Sequence, residues 1–251
     1  MPIIVTGFDG FGPHDINPSQ QAVEALANNL VSSKPGQDKP LFVEKSNLQT
    51  LVLPTSSSRG WATLKETLAK LSPGTEPILI VMCGVAQERK KIGLERFAIN
   101  VRDYRIPDND GNQLCDQAID VDAQLAYKCQ LPLAQLRDHL IAKGFASEVS
   151  NHAGSYICNE VYFQCLQALQ EQKEFKHRAC AAVFVHLPLP RAYTQVDSKN
   201  ANETQSIVIP SSNESQTPIT ELDYQEVIKI YSLALEEIIR WSQGFLTERS
   251  C

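Results

Sequence analysis

The sequence has no C-x-x-C pair, no apolar run of membrane length and no cluster of lysines and arginines. Each absence removes a class of protein. The seven cysteines (Cys83, Cys115, Cys129, Cys158, Cys165, Cys180 and Cys251) are odd in number and widely spaced. They form neither a disulfide framework nor a zinc-ribbon spacing, so reduced thiols in a reducing compartment are expected. A membrane helix needs roughly 18 apolar residues in a row, and the opening MPIIVTGF also lacks the charged leader of a secretory signal. A cytoplasmic protein with no membrane partner is therefore expected. Net charge is −6 and the basic residues are dispersed, which argues against a phosphate-backbone footprint and against nucleic acid as a partner.

What is present fits an ordinary globular chain. Its 251 residues are 43 % hydrophobic and 21 % charged, enough for one large α/β domain. PIIVTGF, LQTLVLPT, PILIVMCG, FASEVS and CAAVFVHLPLP read as short strands, most of them apolar throughout, as strands buried on both faces are. Between them lie helical patterns: NPSQQAVEALANNLV, the serine-led SSSRGWATLKETLAKL, LPLAQLRDHLIAKG and Ile157 to about Gln170. A long amphipathic helix, ELDYQEVIKIYSLALEEIIRWSQ, ends the series. IGLERFAINVRDYRIPDNDGN reads as extended structure running into a turn. This alternation predicts a mostly parallel sheet covered on both faces. The Ser/Asn-rich stretch at about 196–217 reads as a mobile polar insertion.

In such folds chemistry collects at the C-terminal ends of strands, and four of those ends carry unusual residues. Cys158, in SNHAGSYICNE, stands where a glycine turn becomes a helix; first-turn N–H groups and the helix dipole favour a thiolate there. Equally, Cys158 and Cys165 are seven apart and could share a buried helix face as small apolar residues. His186 closes the apolar strand AAVFVH, as a packed rim residue or as the imidazole that a cysteine nucleophile requires. Glu95, flanked by apolar residues, is either a strand-surface carboxylate or the group that orients such an imidazole. GFDGFG has no phosphate-loop lysine; Phe8 and Phe11 suggest the walls of a small apolar pocket, or core packing. No cofactor and no metal site is expected.

VTGFDGFGPHDINPS, GLERFAINVRDYRIPDNDGN, SNHAGSYICNEVYF and VFVHLP, in this order, resemble the type I pyroglutamyl peptidases over roughly Ile3 to Pro188. The resemblance implies a single-domain three-layer α/β/α sandwich with a twisted mixed sheet, and a cysteine exopeptidase that removes N-terminal pyroglutamate from peptides. It places the nucleophile on Cys158, the general base on His186 and the orienting acid on Glu95. It assigns the lactam-clasping aromatics to Phe8 and Phe11 with Asn17 nearby, an oxyanion-supporting cation to Arg105 and a pocket wall to Ile106. It also implies self-association, as a dimer or tetramer. The sequence departs from the family pattern at Gly10, at Gln87 and Glu88 (while Arg89 remains), at Gly93 and at His152. These departures keep a second class open, an idle relative that binds rather than cleaves. A nucleoside-cleaving enzyme would need more cationic loops.

Overall fold

The computed structural model describes residues 1–12, 16–32, 47–71, 74–190 and 221–248; the segment at about 196–217 lies outside them. The apolar runs become strands because β-branched side chains pack well on a pleated surface. β1 (Ile3–Phe8), β3 (Ile78–Val85) and β7 (Cys180–Leu187) are buried almost end to end. With β2 (Leu48–Leu53), β4 (Ile92–Ile99), β5 (Ala126–Lys128) and β6 (Ser147–His152) they form one seven-stranded sheet in the order β2-β1-β3-β7-β4. β7 and then β5 pair along one edge of β4, and β6 takes the other.

Helices cover both faces, so the molecule is a three-layer α/β/α sandwich. On one face α1 (Pro18–Ser32), α3 (Leu133–Ala142) and α5 (Glu221–Glu248) bury Leu26, Leu136, Leu140, Leu235 and Ile238 against Val5, Leu94 and Val185. On the other, α2 (Gly60–Ala69) and α4 (Ile157–Glu171) bury Leu64, Val161 and Leu166 against Ile4, Ile80 and Phe184. Each such side chain contributes about 1.5–3 kcal/mol when fully buried. α1 starts where the sequence signals it: Asn17 Oδ1 accepts from the backbone N–H of Ser19, an N-cap, with Pro18 as the first helical residue.

Two local readings change. Ser56–Ser58 do not simply cap α2, which begins at Gly60 with no side-chain cap on Arg59; they tie down another loop, described below. The strand directions are also less uniform than the alternation suggests. β4 and β6 run against the other five strands, so the chain leaves β6 away from the edge where β1, β3 and β7 end. The Ala153–Tyr156 turn, with Gly154 at φ +85°, carries it over the sheet into α4. Glycine suits that left-handed position because it lacks a Cβ.

Candidate active site

A row of three residues crosses the sheet side by side. Gly84 on β3 is the register partner of His186 on β7, and His186 is the partner of Gly93 on β4. Two residues along, Glu95 faces Phe184, and strand alternation keeps Glu95 on the same face as Gly93. His186 Nδ1 lies 2.7 Å from Glu95 Oε1, and the carboxylate is fully buried, at 0 % exposure. An ionised carboxylate only accepts, so a neutral ring donates from Nδ1 and keeps its lone pair on Nε2. Phe184 packs its ring 4.8 Å from the imidazole and holds its plane.

Cys158 reaches this row from α4. Its Sγ rests on Gly84: a Cβ added there would stand 2.8 Å from the sulfur and 3.0 Å from Phe184 Cζ. Glycine at the end of β3 is what lets a helix bring a thiol down onto the backbone beside His186. Cys158 is the second residue of α4, whose N-cap residue, Tyr156, supplies no side-chain cap. The cysteine is half-buried. Burial first, and then the charge of Glu95, push the thiol up to about 12. Burial and Glu95 thus act against the thiolate that the first-turn amides of α4 favour.

The remaining sequence candidates gather beside this row in two loops. Phe8 is buried against Phe184, with ring centroids 6.2 Å apart, at the end of β1. Phe11 packs on Tyr156 at 6.3 Å, and Tyr156 in turn stands edge-on to Tyr104. Asn17, besides capping α1, donates from Nδ2 to the Asp9 carbonyl, fixing the first loop. Phe11, Asn17, Val85 and Gln87, with Tyr224 of α5, line a cavity of about 170 Å³. A larger one, about 460 Å³, opens at the far end of the strands around Pro2, Leu48 and Arg178 and touches none of these groups. Ile106 is partly exposed and borders Gly12 of the first loop. Arg105 stands apart: it is 91 % exposed, with Glu88 3.9 Å away as its ion partner, and in water such a charge acts weakly.

The Arg102–Asn112 loop is pinned from below. Asp108 accepts from the backbone amides of Ser57, Asp110 and Asn112 and from the Ser57 hydroxyl. Burial opposes its ionisation, but these donors outweigh burial and hold the carboxyl below the usual range. Asp110 is held down to about 2, chiefly by Arg59 and then by Ser56. Asn109 donates to the Gly10 carbonyl at 2.7 Å, and Tyr156 to that of Pro107 at 3.0 Å. Glu160, buried in the first turn of α4, takes Arg102 at 2.6 Å and the hydroxyl of Tyr104. Asn159 bonds the amide and carbonyl of Ile99. His152 is exposed, and its Nδ1 accepts from the Gly154 amide at 3.2 Å, bracing the turn.

The chain as a whole resembles known proteins. The family model for pyroglutamyl peptidase matches residues 1–211. The chain belongs to the pyroglutamyl peptidase family. The pyrrolidone-carboxylate peptidase of Thermosipho melanesiensis is 31 % identical over 207 residues, 82 % of this chain and 91 % of that protein. That of Staphylococcus saprophyticus is 31 % identical over 212 residues, 83 % and 89 %. The pyrrolidone carboxyl peptidase of Fervidobacterium islandicum superposes with a TM-score of 0.71 at 28 % identity, over 97 % of this chain and 99 % of that one. The enzyme from Thermococcus litoralis gives 0.68 at 27 %, over 99 % and 96 %. This pyroglutamyl peptidase family member is a hydrolase on an α/β fold. Among its described residues no helix is long and apolar enough to cross a membrane, and no three His, Cys, Asp or Glu side chains are grouped to hold a metal ion.

Proposed function

We propose that the protein hydrolyses the bond after an N-terminal pyroglutamyl residue of peptides, with Cys158 as nucleophile, His186 as general base and then acid, and Glu95 as the group that orients the ring. One observation carries this reading: a buried His186–Glu95 pair at 2.7 Å, one strand away from the glycine on which the Cys158 sulfur rests. Because the thiol is pushed up to about 12, the proton leaves the sulfur in the act of attack, passing to Nε2 of a ring whose Nδ1–H is held by Glu95. The thiolate adds to the pyroglutamyl carbonyl, and the amide N–H groups at the start of α4 receive the oxyanion. Collapse gives a thioester as His186 returns the proton to the departing amine. Water, deprotonated by the same ring, then releases pyroglutamate.

The substrate assignment follows from size and charge. A five-membered lactam is small, flat and neutral, so aromatic faces and backbone groups can select it. In this reading Phe11 and Asn17, which line the cavity, form that wall. Phe8 is buried on Phe184, Ile106 borders the first loop, and Arg105 is a solvent-exposed cation rather than an oxyanion partner. A thiol held protonated also suits the idle relative, and one experiment separates the two. Pyroglutamyl-aminomethylcoumarin is to be cleaved by the wild type, by Cys158→Ala and by Cys158→Ser. Cleavage lost by at least about a thousandfold in both variants supports the assignment, whereas a wild type with no turnover, or an unimpaired Cys158→Ser, refutes it.

A further inference from the structure

The position opposite Gly84 in the row is also a glycine. A Cβ on Gly93 would meet Arg89 Nη1 at 2.1 Å and Cζ at 2.9 Å, so any side chain at 93 and the present place of Arg89 exclude one another. Through that gap Arg89 Nη2 reaches Glu95 Oε1 at 2.7 Å, the same oxygen that takes His186. The guanidinium is forked, donating also to Ser150 Oγ on β6 at 2.8 Å, with Glu148 of the same strand 3.7 Å from Nη1. Glu95 Oε2, by contrast, is buried and makes no hydrogen bond among the described residues.

Both contacts therefore fall on one carboxylate oxygen, and they leave the other with nothing to pull it round. We propose that Arg89, admitted by Gly93, is a positioning residue: it pins Glu95 Oε1 toward His186 and sets the proton affinity of the Cys158–His186 couple. The physical reason is twofold. A carboxylate with no exposure needs a compensating charge, and a planar fork fixes orientation as a lysine cannot. The groups facing the pair are Arg89 from the β3–β4 turn, Glu148 and Ser150 on β6, Phe184 on β7, and Cys158 and Tyr162 on α4, the last donating to the Glu95 carbonyl at 3.1 Å. Arg89 is the cation among them.

Removing that cation makes the couple hold its proton more tightly. The inference rests on the proposed Cys158–His186–Glu95 assignment, so its test reads the thiol and needs no substrate. Iodoacetamide labelling of Cys158, followed by peptide mass spectrometry across pH 6 to 10, is compared among wild type, Arg89→Met, Arg89→Lys, Gly93→Ala and the Arg89→Met/Gly93→Ala double variant. In Arg89→Met the labelling rate at each pH falls about tenfold, the equivalent of one pH unit. Gly93→Ala lowers it in the same way, Arg89→Lys recovers part of the loss, and the double variant shows no loss beyond Arg89→Met alone. Should Gly93→Ala fail to fold by circular dichroism, Arg89→Met and Arg89→Lys decide the question. A labelling rate unchanged in Arg89→Met, even with lowered melting temperature, overturns the proposal, as do fully additive effects. Loss of pyroglutamyl cleavage in wild type alone would count against the function and not against this arrangement.

Discussion

At the scale of single residues, the site depends on two absent side chains as much as on three present ones. Gly84 illustrates the cost of restoring one. In Gly84→Ala the new methyl group stands 2.8 Å from the Cys158 sulfur and 3.0 Å from Phe184, and neither neighbour is the free end of a long chain. One must move, and overpacking of this kind destabilises by about 1–3 kcal/mol. Displacing the sulfur by about an ångström also disturbs the alignment with the imidazole that the proposed mechanism requires, so kcat/KM on a pyroglutamyl substrate falls about a hundredfold. A urea titration run beside the kinetics checks both. A variant that loses stability but keeps its rate would mean that the sulfur needs no such seat.

Among the elements, the Arg102–Asn112 loop is held by the β2–α2 turn through Ser56, Ser57 and Arg59. Asp108→Ala frees the amides of Ser57, Asp110 and Asn112 at once. Because the loop carries Ile106 beside the first loop rather than the reacting groups, KM for the substrate rises about tenfold while kcat changes less than threefold. Steady-state kinetics separates the two, and an equal fall in kcat would place the loop in the chemistry. This tether was not legible in the sequence, where the three serines read as a helix cap; a serine run carries no sign of a carboxylate fifty residues away. β5, at three residues, is too short for any periodicity to mark it. The directions of β4 and β6 are equally silent, since alternation tells which faces are buried and not which way the strand runs. The apolar runs of β1, β3 and β7 were plain because burial on both faces demands them. The proposed trio of Cys158, His186 and Glu95 could be read only together, through motif order. The contact of Arg89 with Glu95 over Gly93 escaped because it is a matter of space between two loop-separated positions.

Over the whole molecule, burial acts on the thiols as a group. It pushes Cys129 and Cys180 up to about 11, Cys158 up to about 12, and Cys83 and Cys165 further still. Each is raised in the folded state above its ordinary value of 9.0, so the fold binds these protons more tightly than the open chain does. The resulting stability is complete below about pH 9 and is lost as pH climbs toward 11 and 12. The urea midpoint should hold level from pH 7 to 8.5 and then decline steadily to pH 11, measured by fluorescence. A flat profile across that range would show that the thiols are open to water. The first loop and the Arg102–Asn112 loop lean on each other, at Asn109 and Gly10. Phe8 rests on Phe184, which packs on His186, and Phe11 rests on Tyr156, the N-cap residue of α4. In the proposed reaction, recognition and hydrolysis thus share their supports, so recutting the ring-binding walls for a different acyl group also shifts the rings that brace His186 and the start of α4.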